Sequence, residues 1–188
     1  MQKIILASSS PRRKEILELV GLKCTTIPSG KEEIITKDEP VEVVTELALM
    51  KARDVAGKIE EPAIVIGADT IVSHNNKILG KPKDAADAKS MIKELQNDTH
   101  QVYTGVAIIT PKKELHFVQE TKVVVSPMTD KEIADYVTTG EPMDKAGAYG
   151  IQGKFALYIK EIAGDYYNVM GLPINKIYET LLKEGILL

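Results

Sequence analysis

Asp69 interrupts an otherwise apolar run, Ala63-Ile-Val-Ile-Gly-Ala-Asp-Thr-Ile-Val72. Aspartate is a poor strand former, and burying its carboxylate is unfavourable unless it is paired, hydrogen-bonded or bound to a metal. A turn at the strand end is the plain alternative, and Ile71 and Val72, which continue the run, weigh against it. The position suits a general base or a metal ligand. Near the start, Ser8-Ser-Ser-Pro-Arg-Arg13 places Arg12 and Arg13 in the first turn of a helix, where the macrodipole is already positive. Cations there are disfavoured by roughly 0.3–1 kcal/mol each unless something negative is bound. Free backbone N–H groups, the hydroxyls of Ser8, Ser9 and Ser10 and two guanidiniums together make an anion site. Two solvated arginines on an ordinary helix are the alternative.

Two lysines add to this. Lys51 lies at helical spacing between Leu47 and Val55, so it either snorkels past an apolar edge to solvent or points into a cleft. Lys81, in Gly80-Lys-Pro82, is held in a stiff extended turn by the proline after it; an exposed loop lysine is the alternative. Glu32 and Glu33 follow the Pro28-Ser-Gly turn. They offer a second carboxylate, though taken alone they read as a solvated acidic loop. Asp144-Lys-Ala-Gly-Ala-Tyr-Gly-Ile-Gln-Gly153 carries three glycines and, among them, Lys145, Tyr149 and Gln152. Such a backbone bends freely and approaches a ligand closely. The three side chains suit a polar planar molecule, and the Gln152 amide offers the donor and acceptor needed to read a pyrimidine edge.

Together these residues describe a receptor for a polyanion joined to a planar base. Arg12, Arg13, Lys51 and Lys81 neutralise the phosphates of a nucleoside triphosphate, and carboxylates hold Mg²⁺ or Mn²⁺, which prefer oxygen ligands. A metal there polarises the α-phosphoryl group and lowers the pKa of a bound water, with pyrophosphate as leaving group.

The elements that must position them follow from pattern. Residues 3–7 read as a buried strand, followed by a helix from Pro11 to Val20 with Ser10 as N-cap and Gly21 as C-terminal cap. A strand at 23–28 precedes a helix from Val41 to Ala56 that ends at Gly57. The run 63–72 is a central strand, and Asn75-Asn76 marks a hairpin returning through 77–79. Residues 84–95 are helical, 101–109 and 115–125 pair as strands, and 129–138 form a helix opened by Thr129 and Asp130. Residues 155–162 read as a further strand, and 174–184 as the closing helix. Helices alternating with strands that include hairpins argue for a mixed sheet.

At 188 residues the chain suits one domain, spanning 1–188. A net charge of −3 provides no basic field for a nucleic acid polymer, so any cationic site is local. No run reaches the length of a membrane span and no signal peptide is evident, so a cytoplasmic protein without membrane attachment is expected. The lone cysteine, Cys24, reads as a small core residue. Gly153-Lys154 lacks the Ser/Thr of a phosphate-binding P-loop, and the three histidines have no metal-ligand spacing.

The order and spacing of Ser8-Ser-Ser-Pro-Arg-Arg13, Ala48-Leu-Met-Lys-Ala52, Gly67-Ala-Asp-Thr70, Gly80-Lys-Pro82 and the 144–153 loop resemble the Maf family of nucleoside-triphosphate pyrophosphatases, over about residues 3–175. The resemblance implies an α/β fold: an elongated mixed β-sheet with flanking helices, in two lobes around a central cleft, as in inosine-triphosphate pyrophosphatases. It implies Asp69 as proton acceptor and Ser8, Arg12, Arg13, Lys51 and Lys81 on the phosphates. Glu33 and Asp69 would then serve a divalent metal, and Arg12, Thr70 and Gln152 the choice of substrate. The full form of the 144–153 loop looks like the subfamily that hydrolyses dTTP and UTP; the subfamily acting on methylated GTP departs from it. Lys154-Phe155 and Gly164-Asp-Tyr-Tyr differ from many members and are expected to alter the rim of the cleft. The family is also linked to arrest of septum formation, so a nucleotide-binding regulator of cell division without catalysis is the alternative. Oligomeric state is left open, a homodimer included.

Overall fold

Seven strands and six α-helices succeed one another over residues 3–186, the part of the chain that the computed structural model describes. In chain order these are β1 (Lys3–Leu6), α1 (Pro11–Leu19), β2 (Cys24–Thr26), α2 (Pro40–Ala56), β3 (Ala63–His74), β4 (Lys77–Leu79) and α3 (Ala85–Leu95). Then come β5 (Thr99–Ile109), β6 (Glu114–Val125), α4 (Asp130–Val137), β7 (Ile159–Ala163), α5 (Tyr166–Met170) and α6 (Ile174–Lys183). The sheet order is β2-β1-β3-β5-β6-β7, with β4 also on β3. β1 runs parallel to β2 and β3, a pairing that requires crossovers such as α1 and α2. β4 and β7 are antiparallel to their partners, so the sheet is mixed, as the sequence pattern implies.

Two compact units divide the chain. One comprises Met1–Asp69, Thr104–Gln119 and Gly171–Leu188; the other comprises Thr70–Tyr103 and Glu120–Met170. In the first, the register Ile5↔Val65 puts both residues on one face, where they pack with Ala7, Ala63 and Val55 of α2. The next position of β3 on that face is Gly67. A methyl there would lie 2.6 Å from the Ala48 carbonyl oxygen and 2.8 Å from the Ala52 nitrogen, so only glycine lets α2 come this near. Ala48, Ala52 and Ala107 fill the contact. Small residues on helix and strand therefore set their separation, and this decides the site described below.

The second unit is built from the expected turn chemistry. Asn75 and Asn76, at φ 50° and 63°, make the left-handed pair of a two-residue hairpin between β3 and β4. Thr129 and Glu132 bond reciprocally at the start of α4, and Asp84 accepts from the Asp87 amide to cap α3. Gly147 has φ +67°, and a Cβ on it would lie 2.9 Å from Val72, so the glycine-rich segment depends on it twice over. Ala148 follows at φ +60°, an unusual conformation for a residue with a side chain.

Several expectations need correction. Ser10 occupies the N-cap position of α1 but makes no side-chain cap; its amide donates to Ser8 Oγ at 3.2 Å instead. Residues 154–158 form a 3₁₀ turn before β7 rather than a strand. The turn seats Phe155 in an aromatic cluster with Tyr149, Tyr136 and Tyr158, at centroid distances of 4.8, 5.1 and 5.7 Å. Phe155 is thus fully buried and belongs to no rim. Cys24 is half-buried on the edge strand β2 rather than in the core, and burial pushes its thiol pKa up, away from the reactive thiolate. The short helix α5 and the 3₁₀ turns of residues 141–148 have no counterpart in the sequence reading.

His100, on β5, is buried; its Nε2 and the Tyr149 hydroxyl are hydrogen-bonded at 2.7 Å. Burial, helped by nearby His74, pulls its pKa down to about 4, below the ordinary value near 6.5. Between those values the unfolded chain binds a proton that the folded chain refuses. Stability from this residue is complete above the ordinary value and is lost as pH falls from there to about 4. The slope from one such group is about 1.4 kcal/mol per pH unit. Urea midpoints of the wild type and His100→Gln, compared between pH 7 and pH 4, should differ in slope by this single proton; equal slopes would rule the account out.

Candidate functional site

Six of the residues singled out above fall in the first unit: Ser8, Arg12, Arg13, Glu33, Lys51 and Asp69. Asp69 stands two positions beyond Gly67 and so on the same face of β3, toward α2. Lys51 immediately precedes Ala52, whose amide meets Gly67. The close approach of helix and strand thus brings the Lys51 Nζ to 2.5 Å from Asp69 Oδ1. The same ammonium lies 2.8 Å from Glu33 Oε1. Asp69 is buried and Lys51 nearly so, whereas Glu33 is exposed on its loop. Lys51 therefore does not snorkel into solvent; it bridges two carboxylates.

Arg13 is buried and its guanidinium is held by the protein. Nε donates to the Gly171 carbonyl at 2.7 Å, and one terminal nitrogen to the Ala68 carbonyl at 2.9 Å and Ser8 Oγ at 3.1 Å. Burial lowers its pKa, the Asp69 carboxylate acts to raise it, and Arg12 and Glu33 act in opposite senses. Arg13 therefore sits within the fields of Asp69, Arg12 and Glu33. Arg12 is half-exposed at the start of α1. Sequence reasoning treats the two arginines alike; the structure separates a buried, carbonyl-bound one from a more accessible one.

Thr70, Lys81 and Gln152 fall in the second unit, Thr70 next to Asp69 in the chain. Lys81 is exposed, and the Gly147 amide donates to the Gly80 carbonyl at 3.1 Å, joining the Gly-Lys-Pro turn to the glycine-rich segment. In that segment Lys145 and Tyr149 are spent internally. Lys145 Nζ donates to the Glu141 carbonyl at 2.7 Å and pairs with Asp144 at 2.6 Å, while Tyr149 is buried against His100. Of the three side chains expected to meet a ligand, Gln152 alone is exposed. Tyr136 and Glu141 order this loop: the Gly150 amide donates to the Tyr136 hydroxyl, which donates to Glu141, and Glu141 accepts from the Lys154 amide. Neither has a signal in the sequence that marks it for this task.

Glu33 and Asp69 pass a first test as metal ligands, because both already converge on one positive charge, that of Lys51. Among the described residues no group of three or more His, Cys, Asp or Glu side chains is arranged to hold a metal. Two carboxylates fit Mg²⁺ or Mn²⁺ all the same, because such ions bind through one or two carboxylates together with substrate phosphates and water.

The mixed sheet with flanking helices places the chain in an α/β fold class that includes the Ham1 protein of Staphylococcus aureus. That solved structure matches with a TM-score of 0.50 at 13% identity, over 97% of this chain and all of the other. The family described as Maf-like protein matches residues 3–184, and the chain belongs to that family. It is 49% identical over 191 residues to the dTTP/UTP pyrophosphatase of Lachnoclostridium phytofermentans, spanning 99% of this chain and 97% of that one. It is 50% identical to the dTTP/UTP pyrophosphatases of Bacillus cytotoxicus (over 96% of this chain and 95% of that one) and Thermoanaerobacter pseudethanolicus (97% and 96%). No helix among the described residues is long and apolar enough to cross a membrane.

Proposed function

We infer that the chain is a hydrolase of nucleoside triphosphates, taking dTTP and UTP to the monophosphate and pyrophosphate. The observation that carries the reading is the Lys51 ammonium bridging Asp69 and Glu33, in a chain half identical to dTTP/UTP pyrophosphatases along nearly its whole length. An aspartate fixed on a strand by a lysine has a set orientation, as a general base requires. Asp69 takes the proton of the water that attacks the α-phosphorus; the bond from that phosphorus to the bridging oxygen breaks, and pyrophosphate leaves. Lys51, Arg12 and Lys81 offset the phosphate charge, Ser8 donates a hydroxyl, and Arg13 reinforces the positive field from its buried seat. Glu33 and Asp69 would hold Mg²⁺ or Mn²⁺, and a divalent cation supplies Lewis-acid polarisation of a phosphoryl oxygen when bound. Arg12, Thr70 and Gln152 tune which base is accepted. Residues 1–188 act as a single domain, a reading supported by β3, β5 and β6, each of which runs on from one compact unit to the other.

Incubation with a panel of triphosphates and Mg²⁺ or Mn²⁺, resolving the phosphate products, tests the reaction. Pyrophosphate from dTTP and UTP is expected; orthophosphate with a diphosphate would exclude this chemistry. Tight binding without turnover would favour the regulator of cell division instead. A second measurement separates recognition from chemistry. Gln152→Ala should lose roughly tenfold on dTTP and UTP, the worth of about one hydrogen bond to the base, and should narrow the spread among bases. Lys81→Ala should depress all triphosphates by a similar factor, since it meets only the part they share. Equal scaling of every substrate by both variants would mean that Gln152 does not read the base.

A further inference from the structure

The loop that carries Glu33 has no regular structure between β2 and α2, and its residues 31–39 are all exposed. Ile34 and Ile35, on its outer side, are 67% and 57% exposed, so apolar packing does not hold it in place. Polar contacts to α2 do. At the start of the loop, Asp54 Oδ2 accepts from the Ser29 hydroxyl at 2.8 Å and the Gly30 amide at 2.9 Å, and pairs with Lys58 at 2.8 Å. Hydrogen bonds from Lys58, Ser29 and Gly30 hold the Asp54 pKa down to about 2 against the opposing effect of burial. At its end, the two oxygens of Glu46 accept from the Thr36 amide at 3.1 Å and the Thr36 hydroxyl at 2.5 Å.

Glu46 and Asp54 stand two turns apart on α2, about 12 Å along its axis at about 1.5 Å per residue. Lys51 lies between them, and Glu33 lies near the middle of the tethered segment. The backbone of residues 29–36, if extended, would reach roughly 25 Å, about twice that distance. The segment is therefore longer than the stretch of helix between its tethers, and apart from the Lys51 pair those end tethers limit where Glu33 can lie.

We propose that Asp54 and Glu46 are positioning residues of the active site, clamping the 29–36 loop at both ends so that Glu33 stays on Lys51 and serves the metal. The proposal rests on the role given to Glu33 above. Neither clamp need touch substrate; each acts through the loop, as outer partners of metal ligands commonly do.

Asp54→Asn and Glu46→Gln test it, with Ser29→Ala and Thr36→Val cutting the same tethers from the loop side in case a change on α2 unfolds the helix. In the free protein, hydrogen–deuterium exchange of the clamped amides, Gly30 in the Asp54 variant and Thr36 in the Glu46 variant, should rise about tenfold or more, with α2 unchanged. Mn²⁺ binding beside a non-hydrolysable α,β-imido analogue of dUTP should weaken about 10–100-fold. In turnover, the metal concentration for half-maximal rate should rise by a similar factor, while kcat at saturating metal falls less. In a Glu33→Gln background, adding Asp54→Asn should weaken Mn²⁺ no further, because the loop then carries nothing to misplace. Unchanged loop exchange, unchanged Mn²⁺ affinity, or full additivity with Glu33→Gln would each overturn the proposal. A wild type that binds the analogue but releases no pyrophosphate would overturn the functional reading alone, since exchange and Mn²⁺ binding do not depend on turnover.

Discussion

Asp69→Asn is expected to lower turnover of dTTP by roughly 10²–10⁴-fold, the usual loss when a positioned general base is removed. Asparagine keeps the shape of the side chain and can still accept a hydrogen bond from Lys51. It cannot take a proton, and it brings no charge to a metal. The variant should fold, because Glu33 still pairs with the Lys51 ammonium at 2.8 Å and the apolar residues of β3 are untouched. Steady-state rates, together with thermal melts of both proteins, check it. A folded variant with activity within about threefold of wild type would make Asp69 a purely structural partner of Lys51.

Gly67→Ala should be nearly as damaging by a different route. The added methyl would meet the Ala48 oxygen, the Ala52 nitrogen and the Ala52 Cβ at 2.6, 2.8 and 2.9 Å. Two of these are backbone atoms of α2, which no rotamer change moves aside. The helix must back away from β3 at a cost of about 1–3 kcal/mol or more, which lowers Tm by about 2–4 °C per kcal/mol in a chain of this size. Activity should fall further than unfolding explains, toward about 10²-fold, because a displacement near 1 Å separates Lys51 from Asp69. Turnover per folded molecule, measured well below the variant's Tm, separates the two effects. Loss of stability with full activity would show that the helix can move without carrying Lys51 off its partner.

What the sequence shows and what it hides divides along physical lines. Local chemistry is legible: Asn75-Asn76 announces a hairpin, Thr129 and Asp130 the start of a helix, and Asp69 in an apolar strand a carboxylate that needs a partner. Partners distant in sequence are not. Nothing around Lys51 distinguishes snorkelling from an ion pair, because the decision lies with Gly67 and Asp69 on another element. The same is true of Arg13, whose acceptors on Ala68 and Gly171 are backbone carbonyls with no side-chain signature. Tyr149 looks like a ligand contact among flexible glycines, yet a buried histidine from β5 claims its hydroxyl. Phe155 reads as part of a strand until three tyrosines require it in their cluster.

The interleaved path of the chain bears on how the protein is made. Ser8, Arg12, Arg13, Glu33, Lys51 and Asp69 all leave the ribosome early, yet the inner face of α2 lacks Ala107 until β5 has been synthesised. The Arg13 guanidinium waits longer still, for the carbonyl of Gly171. The stretch from Asp69 to Gly171 takes roughly 5–20 s to synthesise at about 5–20 residues per second. Over that interval the nascent chain carries the Lys51, Asp69 and Glu33 side chains at first without the Ala107 packing of α2, and Arg13 to the end without its Gly171 acceptor. A product terminated before Gly171 would leave the Arg13 Nε without its carbonyl acceptor.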